Sequence, residues 1–73
     1  MDLSNDEIWC ICKLGYQLYR RDRLEAAAEI FRGLVALEAD LGYPWHALGM
    51  VARKRDDAPR AIECFQQIGR AHV

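Results

Sequence analysis

Apolar residues recur along this chain at the three- and four-residue spacing of a helix face. Ile8, Ile11, Leu14, Gly15 and Leu18 make a first stripe, and Leu24, Ala27, Ala28, Phe31, Leu34 and Val35 a second, with Asp22 interrupting the run between them. Ser4 followed by Glu7 has the form of a capping box, in which the hydroxyl and the carboxylate satisfy amide donors at a helix start, so a first helix is predicted from near Asn5. Asp40-Leu41-Gly42-Tyr43-Pro44 breaks the pattern again, with Gly42 free to take a positive φ and Pro44 suited to the first turn of a third helix. Asp56 and Asp57 offer the N-cap of a fourth helix, whose first turn accommodates Pro59. The pattern therefore predicts an all-α chain of four helices, antiparallel in sequence-adjacent pairs. Gly15 and Gly49 fall inside helices, where glycine costs about 1 kcal/mol relative to alanine, and close approach of the paired helix at Ala27 and Ala61 is the expected reason.

One offset relates the two halves. Leu14-Gly15 returns as Leu48-Gly49, Ala27 as Ala61 and Phe31 as Phe65, each 34 residues later, and the same shift carries Arg21 to Arg55, Asp22 to Asp56 and Glu29 to Glu63. The spacing and residue types resemble the tetratricopeptide repeat, with its W-x2-L-G-x2-Y and A-x3-F signature on a period of 34. The second copy carries Trp45-x2-Leu48-Gly49 and Ala61-x3-Phe65 intact, whereas Ile11 stands at the first copy's Trp place and Leu18 and Ala52 at the two Tyr places. The resemblance implies antiparallel helix pairs stacked as an α-solenoid fragment: a cap over residues 1–7, one repeat over 8–41 and a second, truncated repeat over 42–67.

The last six residues, Ile68-Gly69-Arg70-Ala71-His72-Val73, are read as leaving this pattern. They match the translation of a common sequencing adapter, ATC GGA AGA GCA CAC GTC, and Gln67 fits the adapter bases that precede it. Residues 68–73 are accordingly expected to be a non-native tail, and His72 is given no functional role. A solenoid needs about three units to bury a continuous core, so the face carrying Ala61, Ile62 and Phe65 is expected to stay partly open and to support self-association through the C-terminal helix.

Composition removes several function classes. Seventy-three residues make one small domain without room for a large enclosed active site, and the 52% hydrophobic content is too high for a disordered tail. Ten Lys and Arg balance eleven Asp and Glu, which leaves no footprint for nucleic acid or a polybasic membrane anchor. The acidic start and the absence of a long apolar run predict neither export nor membrane insertion. Cys10, Cys12 and Cys64 are odd in number and poorly spaced for disulfides or zinc, so a reduced, cytoplasmic setting without metal or other cofactor is expected. His46 stands where Cys12 stands one repeat earlier, but nothing arranges a nucleophile, base and orienting acid, and no enzymatic activity is expected.

Binding remains. In the tetratricopeptide register the first helix of each pair lines a groove, and the resemblance assigns Trp9, Cys12, Tyr16, Tyr19 and Arg20 to it from the first repeat, with Tyr43, His46, Met50, Arg53 and Lys54 from the second. Such a groove is aromatic and apolar with a basic rim, suited to an extended, partly hydrophobic protein segment. Repeats that clamp a terminal carboxylate use Lys and Asn where Cys12 and Tyr16 stand, a departure from that specificity. The stretch Tyr19-Arg20-Arg21-Asp22-Arg23-Leu24-Glu25-Ala26-Ala27, leading through Ile30-Phe31-Arg32-Gly33-Leu34 to Trp45-His46-Ala47-Leu48-Gly49, resembles the type III secretion chaperones for translocators. That implies a small bacterial protein holding an unfolded hydrophobic translocator segment; a general bacterial scaffold repeat is the alternative implication.

Overall fold

A computed structural model describes residues 3–38 and 40–71, with the side chains of 69–71 left aside. Four helices follow one another, α1 (Asn5–Arg20), α2 (Leu24–Leu37), α3 (Gly42–Lys54) and α4 (Ala58–Ala71), with no strand among the described residues. The α1 start is the capping box expected from the sequence: the Glu7 amide donates to Ser4 Oγ at 3.2 Å and the Ser4 amide to Glu7 Oε1 at 2.9 Å. At α4 the two aspartates divide the work, because the Arg60 amide donates to Asp57 Oδ1 at 3.3 Å while Asp56 lies in the preceding turn.

The two intra-pair turns are built alike, 34 residues apart. After α1 the Arg23 amide donates to the Leu18 carbonyl at 2.9 Å and the Asp22 amide to the Tyr19 carbonyl at 3.0 Å; after α3 Asp57 pairs with Ala52 at 2.8 Å and Asp56 with Arg53 at 3.0 Å. This pair of bonds is a Schellman closure, which requires a left-handed residue at its hinge. Asp22 (φ 64°) and Asp56 (φ 60°) supply it. The positive φ expected at Gly42 does not occur: no described glycine has one, and Gly42 is instead the first residue of α3.

Each helix packs against its neighbour in sequence, α1 also touches α3, and α4 reaches neither α1 nor α2 among the described residues. The principal extents are 33 × 29 × 14 Å, so the helices form a thin slab with two broad faces. Its core holds Cys12, Ala27, Ala28, Phe31, Leu34, Ala47, Leu48, Val51, Ala52, Ala61 and Cys64, and no polar or charged side chain is buried with them. The two helix-interior glycines are explained by phenylalanine, not by Ala27 and Ala61. A Cβ on Gly15 would stand 2.7 Å from Phe31 Cζ, and one on Gly49 would stand 2.4 Å from Phe65 Cε1. Both alanines lie on the same helix as the corresponding ring, one turn before it, and it is the ring that fills the notch.

Helix α4 runs on through Gly69, Arg70 and Ala71, and Ile68 falls in step with Ala61 and Phe65 on its half-buried side. The helix thus extends over residues 68–71 of the segment read as a non-native tail, a matter of conformation that is independent of the segment's origin. His72 lies outside the described residues. Of the face expected to stay open, Ile62 is 58% exposed and Phe65 half-buried, but Ala61 is 3% exposed and belongs to the core.

Candidate functional site

One broad face of the slab is made by α1 and α3, and nine of the ten groove residues named from the sequence reach its surface. Trp9, Tyr16 and Tyr43 are 58%, 42% and 42% exposed, Arg20, His46, Arg53 and Lys54 are exposed, and Tyr19 and Met50 half-buried. Cys12 does not belong with them as a contact residue. It is 3% exposed and packs into the core beneath Trp9 and Tyr43, where burial pushes its thiol above the ordinary cysteine range. Placing the small Cys12 there, one turn after Trp9, leaves a shallow cleft of about 110 Å³ between α1 and the start of α3, walled by Asn5, Ile8, Trp9, Leu41, Tyr43 and Pro44.

The aromatic rings on this face are arranged in pairs. Trp9 of α1 and Tyr43 of α3 have centroids 5.7 Å apart at an interplanar angle of 52°, and Tyr16 and Tyr19 lie 6.1 Å apart at 35°. Tilted pairs of this kind leave ring faces and edges open to a further apolar or aromatic group. At the far end Lys54 Nζ sits 4.6 Å above the Tyr19 centroid and 3.4 Å from Asp22 Oδ1. That cation therefore links the end of α3 to the turn after α1 through an exposed ion pair. Burial, with smaller contributions from Cys12 and Tyr16, raises the Tyr43 phenol above its usual value. His46 lies 5.7 Å from the Phe65 ring, which turns it toward α4.

The opposite face carries a larger hollow that sequence reasoning did not identify. About 860 Å³ lies between α2 and α4 above α3, lined by Ala28, Val35, Trp45, Leu48 and Cys64 and rimmed by charge. It exists because α2 and α4 do not meet, a property of the packing with no local mark in the sequence. The rim is self-paired: Glu25 bonds Arg55 at 2.8 Å and Arg32 at 3.4 Å, and Asp57 bonds Arg60 at 3.7 Å. The Arg32 hydrogen bond, followed by the charge of Arg55, holds the Glu25 carboxyl below its ordinary range. Glu25, Arg32, Arg55, Asp57 and Arg60 of the rim thus pair with one another, whereas Trp9, Tyr16 and Tyr43 on the other side are exposed rings.

The described residues contain no group of three or more His, Cys, Asp or Glu placed to hold a metal ion, and no helix is long and apolar enough to cross a membrane. Cys10 is exposed, whereas Cys12 and Cys64 are buried, and all three are free thiols. Comparison with family models, curated proteins and solved structures finds no match for this chain.

Proposed function

We propose that this chain is a tetratricopeptide-type interaction module whose α1–α3 face binds an extended, partly hydrophobic protein segment, in the manner of a type III secretion translocator chaperone. The observation that carries this reading is the two aromatic pairs Trp9–Tyr43 and Tyr16–Tyr19, in which Trp9, Tyr16 and Tyr43 are exposed and the half-buried Tyr19 lies under Lys54. Rings held on helices lose little conformational entropy on binding, and they favour a ligand offering apolar side chains at intervals along an extended backbone. Arg20, Arg53 and Lys54 at one end suit a segment with acidic residues flanking its apolar part. The 34-residue offset, the helix pairs and the Gly15–Phe31 and Gly49–Phe65 contacts support the repeat reading.

The test is co-expression with a translocator containing membrane-spanning segments. The wild-type chain is expected to keep the translocator soluble and to co-purify with it, and Tyr16→Ala combined with Tyr19→Ala to abolish both effects. Undiminished co-purification with the double variant overturns the groove reading, and failure of the wild type to retain the translocator overturns the chaperone assignment.

A further inference from the structure

The two repeats have the same packing positions but not the same burial, and the difference locates two complementary surfaces. On α2, which packs against both α1 and α3, Ala28 and Phe31 are 3% and 1% exposed, the Phe31 ring filling the Gly15 notch of α1. The residues 34 positions later on α4 are Ile62, which is 58% exposed, and Phe65, which is half-buried. On α3, Leu48 and Ala52 are 8% and 4% exposed because they face α2, whereas Leu14 and Leu18, 34 positions earlier on α1, are 48% exposed and half-buried. The outer side of α4 therefore lacks what α3 gives α2, and the outer side of α1 lacks what α2 gives α3.

We propose that this chain stacks head to tail on a second copy of itself, α1 of one copy lying on α4 of the next as α3 lies on α2 within one copy. Charge supports that register. Inside one copy Lys54 bonds Asp22 across the joint between repeats; shifted by 34, the same joint places Arg20 of one copy at Asp56 of the next, with both signs kept. Asp56 also has the left-handed geometry of Asp22, so its carboxylate leaves the turn in the same direction. Two features are not repeated: Pro59 stands at the place of Glu25, which removes the counterpart of the Glu25–Arg55 pair, and Arg53 replaces Tyr19 beneath the cation. The joint between copies is accordingly weaker than the one inside a copy, and Leu14, Ile62 and Phe65 carry it. Because the two surfaces differ, the contact is heterologous and continues beyond two chains. It lengthens the α1–α3 face by two helix pairs per added copy, and it does not depend on peptide binding.

Sedimentation of the wild-type chain from about 1 µM to 1 mM is expected to give a mass that rises with concentration past two chains. Leu14→Glu and Ile62→Glu alter exposed positions on opposite surfaces, and each alone is expected to weaken association by about 100-fold or more by burying an unpaired carboxylate. Mixed in equal amounts, the two variants retain one intact surface each and are expected to form a dimer that grows no further. A wild-type chain that stays monomeric over the whole range overturns the proposal whatever the variants do. Association that survives Leu14→Glu alone, or a mixture that stays monomeric, overturns it as well, the first by pointing to symmetric α4–α4 pairing.

Discussion

Phe31 and Phe65 occupy one repeat position and fill equivalent glycine notches, yet the first is 1% exposed and the second half-buried. Removing the ring at Phe31 leaves a closed cavity, so Phe31→Ala should cost about 3–5 kcal/mol, whereas Phe65→Ala should cost roughly half as much because solvent already reaches the site. Urea unfolding of dilute protein checks the ordering, and equal losses would contradict it. Asp56 bears a left-handed backbone, which costs a non-glycine residue roughly 1 kcal/mol, so Asp56→Gly should raise stability by several tenths of a kcal/mol and Asp56→Val should lower it. The positions of Gly15 and Gly49 could be read from sequence, but their partners could not. Ala27 and Phe31 are one turn apart on the same helix, and only the distance of approach shows that the ring, not the methyl group, fills the notch. The left-handed hinges have no glycine to mark them in the sequence, because aspartate performs that task at both turns.

The helices themselves were legible because their starts are chemical. Ser4 with Glu7, Pro44 and Asp57 each mark an N-terminus by supplying an acceptor or by lacking a donor. The end of α4 was harder, since Gly69 suggests a stop while Ile68 keeps the apolar face in step. Two exposed carboxylates hold elements in place, Glu7 at the α1 cap and Glu25 between α2 and α3, and both have folded-state pKa values below the ordinary 4.5. A depressed carboxyl pKa contributes stability that is present above the unfolded value and lost as pH falls through the folded one. Thermal midpoints are therefore expected to be level from neutrality to about pH 5 and to fall below about pH 4.5. Glu25→Gln should flatten part of that fall, and an unchanged acid limb would assign it elsewhere.

As a whole the molecule is a slab whose two sides differ in chemistry, one aromatic and one a hollow rimmed by charge, and only the first was visible in the sequence. The tetratricopeptide register directs attention to α1 and α3, on which Trp9, Tyr16, Tyr43, His46, Arg20, Arg53 and Lys54 are exposed and Tyr19 and Met50 half-buried. Cys12 was placed among them by register alone, which counts positions but not the depth at which each lies. The hollow between α2 and α4 has no signature because it is a gap between elements far apart in the chain. On the proposed function the aromatic side, not the hollow, receives a protein segment. Backbone and side-chain NMR shifts during titration with an extended peptide from a translocator's hydrophobic segment test this most directly. Binding on the α1–α3 face predicts saturable shifts at the Trp9 indole, Tyr16, Tyr43, Met50 and Arg53, with Arg32, Val35 and Arg60 unmoved. Shifts centred on Arg32, Val35 and Arg60, or no shift at the Trp9 indole at saturating peptide, would contradict it.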